Sequence, residues 1–163
     1  MSNLEMQVNA LMGLCLAEND RDREQLRREV RRLMEDRKKA PADAEAIIGE
    51  ILLELGAPEH LLGHPYVVRA IALVAQDRMY IRNITFGLYP QLAVEFDTRP
   101  ARVERAIRHL IEVTWSRGDW DILQRYFGNT VSADKGKPTN GEFIARLSNV
   151  VKARLRGESG MMQ

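Results

Sequence analysis

Residues 99–117 carry the side chains whose types and spacing most clearly suggest chemistry. At about 100° per residue, a helix here has one charged side and one packing side. Arginine can donate two hydrogen bonds to guanine, and glutamate can accept one from cytosine, so the charged side suits a DNA major groove. A solvated face is the alternative, because charged faces on amphipathic helices are common. The charged side holds Arg102, Glu104, Arg105, Arg108, His109 and Glu112; the packing side holds Val103, Ala106, Ile107, Leu110, Ile111 and Thr114.

The elements around this segment predict a helix-turn-helix. A helix over 84–96 comes first, with Tyr89-Pro90 bending or restarting it. Asp97-Thr98 then forms a tight junction to the long helix, which ends near Gly118. We expect Thr98 to cap the first amides of that helix, and Pro100 to occupy its first turn, where a missing amide hydrogen costs little.

The rest of the chain also predicts helices, since apolar residues recur at spacings of three and four rather than two. The sequence therefore predicts an all-α protein. We expect a break at Ala40-Pro41-Ala42 and a helix stop at Gly56. The further predicted elements are helices over 1–17, 19–39, 43–55, 67–77, 119–127 and 140–156, a loop over 128–138 and a disordered tail over 157–163.

Charge is unevenly distributed along the 163 residues. The formal net charge is only +1, but residues 43–97 carry −5, whereas residues 98–163 carry +5, with 12 basic and 7 acidic side chains. A lone cysteine, Cys15, excludes an intrachain disulfide and is expected to be a small buried residue in a reducing compartment. No apolar run approaches the roughly 20 residues needed to span a bilayer. We expect a cytoplasmic protein without membrane contact.

Other candidate sites favour structural interpretations. His60, His64 and His109 are too scattered for a metal site. Asp119 and Asp121 would suit acid-base chemistry, but acidic residues at a helix start interact favourably with its dipole, which is the simpler explanation. No phosphate-binding loop, nucleophile motif or cofactor fingerprint occurs. We expect no metal, no cofactor and no enzyme, with Trp115 and Trp120 in packing roles.

A family resemblance covers residues 47–151. The chain closely resembles the carboxyl-terminal effector domain of the stage-zero sporulation response regulator, the master transcription factor of endospore formation. The matching segments are Leu55-Gly56, Ile84-Thr85, Leu88-Tyr89-Pro90, Arg102-Val103-Glu104-Arg105-Ala106-Ile107-Arg108-His109, Ile111-Glu112-Val113, Trp115-Ser116-Arg117-Gly118, Phe127-Gly128, Thr130-Val131, Lys137-Pro138-Thr139-Asn140 and Glu142-Phe143-Ile144-Ala145.

The resemblance implies a six-helix bundle that binds DNA as a tandem dimer at boxes resembling TGTCGAA. It implies that Arg102 reads guanine and Glu104 reads cytosine, and that the amino terminus of the last helix lies near phosphate. The residues that this expectation places at the DNA are Thr98, Arg99, Arg102, Glu104, Arg105, Arg108, His109, Lys135, Lys137, Thr139 and Asn140. Contact with the sigma subunit of RNA polymerase is implied for Ser116, Arg117, Asp119 and Gln124.

This sequence also differs from the usual family pattern. Arg99-Pro100-Ala101 stands where Thr-Ala-Ser is usual, which removes a hydroxyl and adds a cation. Asn129, Gly141 and His64 replace a usual Tyr, Ser and Tyr. Residues 1–42 are too few for a phosphoaccepting receiver of about 120 residues, so we expect no control through receiver phosphorylation. They form either a dimerisation or partner-binding element or a helix packed on its own domain.

The sequence thus predicts three parts: a helical extension over 1–42, a DNA-binding domain over 43–156 and the tail. The predicted function is sequence-specific DNA-binding regulation of transcription, with a homodimer at least on DNA. The alternative is an interaction protein that binds a full-length sporulation regulator or a sigma subunit. The outward-facing arginines favour DNA binding, because a module freed from DNA has no evident need for them.

Overall fold

The computed structural model describes residues 20–128, 131 and 136–157. In its first helix it describes the side chains of residues 21–25, 28, 29, 32 and those from Asp43 onward. The predicted helix over 1–17, the side chains of Leu26, Val30 and Leu33, Cys15, Lys135 and residues 158–163 of the predicted tail lie outside this description. The chain divides into two compact units, residues 1–43 and 44–163.

The described part of the chain is built of helices without a β-strand, which confirms the predicted all-α class. The elements are α1 (Asp20–Glu54), α2 (Gly63–Gln76), α3 (Met79–Arg82), a π-helical turn (Ile84–Leu88), α4 (Tyr89–Glu95), α5 (Pro100–Arg117), α6 (Trp120–Phe127) and α7 (Asn140–Leu155). The segments from Met79 to Glu95 follow one another as an interrupted helix. If this interrupted helix is counted once, the described residues of the second unit form six helices, including the end of α1.

The predicted break at Ala40-Pro41-Ala42 is wrong, because α1 continues through these residues. A proline removes one amide donor and commonly kinks a helix, but it does not have to end it. The predicted stop at Gly56 is confirmed. Gly56 has φ +72°, its amide donates to the Leu53 carbonyl at 3.0 Å, and the next amide, that of Ala57, donates to the Leu52 carbonyl at 2.9 Å. This pair of bonds ends the helix in a Schellman motif.

The core of the second unit surrounds α2. This helix packs against α5 on one side and α7 on another, and α4 also packs against α5. The backbones of α2 and α5 approach closely at Gly63, where an added Cβ would lie only 2.2 Å from the carbonyl oxygen of Ala106. Glycine is therefore required where α2 begins, because any side chain there would push α2 away from α5.

The turn between α4 and α5 is short. Asp97 adopts φ +48°, a left-handed conformation that aspartate tolerates better than most residues. The prediction that Thr98 caps α5 is wrong: Arg99 is the N-cap residue, it makes no side-chain cap, and the Thr98 amide donates to the Ala93 carbonyl at 2.8 Å. This bond draws Thr98 back to the end of α4, one residue too early to cap α5. Pro100 does occupy the first turn of α5, as predicted.

Side-chain caps fix the starts of the last two helices. The Asp119 carboxylate accepts from the amides of Asp121 and Ile122, which confirms the structural interpretation of these acidic residues. Thr139 and Glu142 form a capping box at the start of α7. Trp115 packs edge-on against Phe127 with ring centroids 5.0 Å apart, which confirms its predicted role in packing at the core or its rim. Trp120 is 61% exposed and does not belong to the core.

The described helices include none that is both long and apolar enough to cross a membrane.

Candidate nucleic-acid interface

Helix α5 has the two faces that its sequence predicts. Val103, Ile107 and Leu110 are fully buried, and Ile111 and Thr114 complete the buried side. The Thr114 hydroxyl is satisfied there by donating to the Leu110 carbonyl at 2.8 Å. The opposite side, called here the outer face, is exposed except for Glu104, which is half-buried; it consists of Arg102, Glu104, Arg105, Arg108, His109 and Glu112.

Each of the two glutamates on the outer face is paired with a basic side chain. Glu104 accepts a hydrogen bond from Arg108, one turn further along α5. Glu112 accepts from the Lys137 ammonium at 2.8 Å, a contact that joins α5 to the segment before α7. The Lys137 hydrogen bond, reinforced by its charge, holds the pKa of Glu112 below its ordinary value. The surface therefore carries both signs of charge in fixed places.

A cleft of about 580 Å³ separates α5 from the start of α7. Glu104, Arg108 and Glu112 line it from α5, and Lys137 and Thr139 line it from the other side. The structure thus brings together residues that lie about 30 positions apart in the sequence. All of them except Glu112 were predicted to contact bases or the DNA backbone. Lys135, the remaining member of that second group, lies outside the described residues.

The Asn140 side chain faces the protein. Its amide nitrogen, Nδ2, donates to the Tyr89 hydroxyl at 3.0 Å and to the Glu104 carbonyl oxygen at 3.1 Å. Burial raises the pKa of Tyr89, so its hydroxyl stays neutral at physiological pH. Beside Asn140, the Thr139 hydroxyl accepts from the Glu142 amide at 3.2 Å. The start of α7 is therefore held by the Tyr89 side chain on α4, by the main-chain carbonyl of Glu104 on α5 and by its own capping box.

Two predicted residues flank the start of α5. Arg99 is exposed and Thr98 is half-exposed, immediately before Pro100. They belong to the same end of α5 as Arg102, which places three candidate DNA contacts within one and a half turns.

The residues implied in sigma-subunit contact are exposed where α5 ends and α6 begins. Ser116 donates to the Val113 carbonyl at 3.0 Å, and Arg117 is the last residue of α5. Gln124 is exposed on α6, and the Asp119 carboxylate is committed to capping. The exposed indole of Trp120 adds an apolar surface to this group, here called the α5–α6 corner (residues 116–124).

A second cluster, around Tyr126, also contains arginine and glutamate side chains, but these bond to other parts of the protein. The Tyr126 hydroxyl donates to Glu54 at 2.5 Å and accepts from Arg154 at 2.8 Å. Arg146 donates to the Tyr126 carbonyl at 2.6 Å. Burial, together with the bond to Glu54, raises the pKa of Tyr126 to about 12. This cluster connects α6 and α7 to the end of α1, and its central side chain, Tyr126, is buried.

The sequence does not predict the contacts of two residues of the site. It places Glu112 on the outer face but gives no sign of the bond to Lys137, and it predicts a bend or restart at Tyr89-Pro90 but no bond from Tyr89 to Asn140. Neither contact has a local signal, because both join residues at least 25 positions apart. A tyrosine that ends up buried with its hydroxyl bonded to Asn140 has no distinctive spacing.

Among the residues with described side chains, no three histidine, cysteine, aspartate or glutamate side chains form a group that would hold a metal ion. The site instead consists of two helices joined by a tight turn, with arginines exposed on the second. These features define a helix-turn-helix domain.

A comparison with known protein families supports this class of domain and identifies the family. Residues 48–151 match the family model described as "Sporulation initiation factor Spo0A C terminal". The chain belongs to this family, which confirms the resemblance inferred from its sequence. The matched part is a DNA-binding, transcription-regulating effector domain of a sporulation response regulator. It contains α2 to α6 entire, with the end of α1 and most of α7.

Proposed function

We propose that this chain regulates transcription by inserting α5 into the major groove at boxes resembling TGTCGAA. The observation that carries the proposal is the outer face of α5. Its guanidinium groups are exposed, while the buried side of the same helix is fixed to the core. A helix so anchored can present arginines to base edges without rearranging the domain.

In this proposal, the middle of α5 reads the bases. Arg102 donates to guanine and Glu104 accepts from cytosine. Arg105, Arg108 and His109 contact neighbouring bases or phosphates. Because Glu104 already holds Arg108 in the free protein, these two side chains approach the DNA as a pair.

The phosphate backbone is contacted on both sides of the groove. Lys137, Thr139 and the positive end of the α7 dipole lie on one side of α5, and Lys135 belongs to the same segment of the sequence. Thr98 and Arg99 lie at the start of α5. Contacts of this kind set register and add affinity that does not depend on sequence.

Two copies of the chain bind adjacent boxes in this proposal, and residues 1–42 are a candidate for holding them together. Sedimentation of the full chain and of a chain that begins at Asp43 tests the second point. We expect the shorter chain to self-associate less. An unchanged association state would show that residues 1–42 are not the dimerisation element.

Selection from random duplexes tests the proposed sequence preference without assuming it. The full chain is bound to a random-sequence duplex pool at near-physiological salt, and bound molecules are amplified and sequenced. We expect enrichment of paired heptamers resembling TGTCGAA. Enrichment of an unrelated sequence would overturn the box, and no enrichment at all would overturn sequence-specific binding.

A second function is favoured by the exposed indole of Trp120. We propose that the α5–α6 corner contacts the sigma subunit of RNA polymerase, because an exposed tryptophan beside polar side chains is typical of an interface anchor. Binding of purified sigma subunit is compared for the full chain, Trp120→Ala and Arg82→Ala, an exposed residue outside the corner. We expect loss only with Trp120→Ala; equal binding by all three would exclude this contact.

A further inference from the structure

The two amide hydrogens of Asn140 are both used within the protein. A carboxamide nitrogen has two hydrogens to donate, and here they go to the Tyr89 hydroxyl and the Glu104 carbonyl. The carbonyl oxygen of Glu104 can only accept, so the atom facing it must be the nitrogen of the carboxamide. The remaining Asn140 oxygen is itself an acceptor and offers nothing to a phosphate oxygen.

These two bonds join three helices at one point. Tyr89 is the first residue of α4 and is only 7% exposed, and Asn140 is the first residue of α7. The third partner, Glu104, lies on α5 between Arg102 and Arg105. Asn140 is itself held in place by the capping box of Thr139 and Glu142. The start of α7 therefore supports α5 beside two exposed arginines, Arg102 and Arg105.

We propose that Asn140 is a positioning residue which, together with Tyr89, fixes the rotation and depth of α5 and so sets the sequence selectivity of DNA binding. This inference rests on the proposed function of α5 as the recognition helix. Hydrogen bonds to base edges need placement within about 0.5 Å and 10–20°. Sequence-independent binding depends mainly on charge and tolerates a looser helix. Loss of the hydrogen bonds between Asn140, Tyr89 and Glu104 should therefore weaken specific binding more than non-specific binding.

The test measures affinity for a two-box duplex and a scrambled duplex over a range of salt concentrations. The full chain is compared with Asn140→Ala and Tyr89→Phe, which removes one acceptor but keeps the ring. We expect Asn140→Ala to lose roughly tenfold in box affinity, the cost of about one base contact, with scrambled binding within about twofold. Tyr89→Phe should lose about threefold. The double variant should lose little more than Asn140→Ala, because the two residues share one bond.

The salt dependence distinguishes positioning from phosphate contact. Lys137→Ala shows what the loss of a phosphate contact looks like. Its affinity should fall equally on both duplexes, and the slope of log affinity against log salt concentration should decrease in magnitude by about 0.9. The slope should be unchanged in Asn140→Ala and in Tyr89→Phe. Asn140→Ala showing the Lys137→Ala pattern would overturn the positioning role in favour of a phosphate contact.

Two further outcomes separate this inference from the function on which it rests. A wild-type chain that binds both duplexes equally overturns the proposed function itself. A wild-type preference for the boxes that is retained in both variants overturns only the positioning role and leaves Asn140 with a role in stability. If Asn140→Ala does not fold, Tyr89→Phe alone decides the question, since its ring packing is intact.

Discussion

The cluster around Tyr126 and the outer face of α5 contain the same kinds of side chain and hold them differently. In the cluster, the Tyr126 hydroxyl lies between Glu54 and Arg154 and is bonded to both. On the outer face, Arg102 and Arg105 are exposed on a helix whose other side is buried. A buried polar group is stabilised only if its partners are in place, whereas an exposed one remains available to a ligand.

This difference shows why residue type alone does not identify a binding surface. Arg154 and Arg102 are chemically identical, but the first is half-buried with two protein partners and the second is exposed. The same contrast occurs within α5 over a single step, from exposed His109 to buried Leu110. The account therefore predicts that substitutions separate cleanly into those that change stability and those that change DNA binding.

The largest effect is expected at the buried side of α5. Leu110→Ala removes a fully buried side chain and should lower the free energy of unfolding by about 2 to 5 kcal/mol. His109→Ala, its exposed neighbour, should stay within about 0.5 kcal/mol of wild type. Chemical denaturation measures both. Similar losses for the two variants would contradict the two-faced arrangement of α5.

The next effect is on binding. Arg102→Ala should weaken binding to the box duplex by about 1 to 3 kcal/mol and relax the preference at one guanine, with stability unchanged. Arg125→Ala is the charge-matched control, since Arg125 is exposed on α6. Titrations on box and scrambled duplexes measure the change. Equal losses on both duplexes would mean that Arg102 contacts phosphate and reads no base.

A smaller effect is expected in the Tyr126 cluster, and it should change stability instead of DNA binding. Tyr126→Phe removes the hydroxyl between Glu54 and Arg154 and should cost about 1 kcal/mol of stability, the usual net contribution of a hydrogen bond. Affinity for the box duplex should not change. Reduced affinity in a fully folded variant would show that the cluster and the outer face are coupled.

The smallest effect is the titration of Glu112. Because Lys137 lowers the pKa of this carboxyl, the ion pair contributes fully above the ordinary value of 4.5 and is lost as pH falls through the lowered value. NMR should give a midpoint below 4.5, and Lys137→Ala should raise it. The same midpoint in both proteins would show that the pair does not persist in solution.

Much of the fold was predictable from local signals. The bounds of α5 follow from the apolar periodicity, from Pro100 in its first turn and from Gly118 directly after its last residue. Gly56 ends α1, as predicted. Two predictions were wrong, and each applied a rule about a single residue to a position where that rule does not decide the structure. Pro41 lies within a continuous helix, and Thr98 bonds back to α4 instead of capping α5.

The site was predictable in outline but not in its contacts. Periodicity identified the outer face, because exposure repeats with the helix turn. The bonds from Asn140 to Tyr89 and from Lys137 to Glu112 depend on how α4, α5 and α7 pack, which no local spacing encodes. These bonds show which polar side chains hold α5 and α7 in place.

Fluorescence anisotropy measures directly whether the chain binds DNA sequence-specifically through the outer face of α5. The full chain is titrated into a labelled duplex with two TGTCGAA boxes and into a scrambled duplex of the same composition, at near-physiological salt. The account predicts tight binding to the boxes and at least about a thousandfold weaker binding to the scrambled duplex, the usual lower limit for specific recognition. Equal affinity for the two duplexes, or no binding to either, would contradict it.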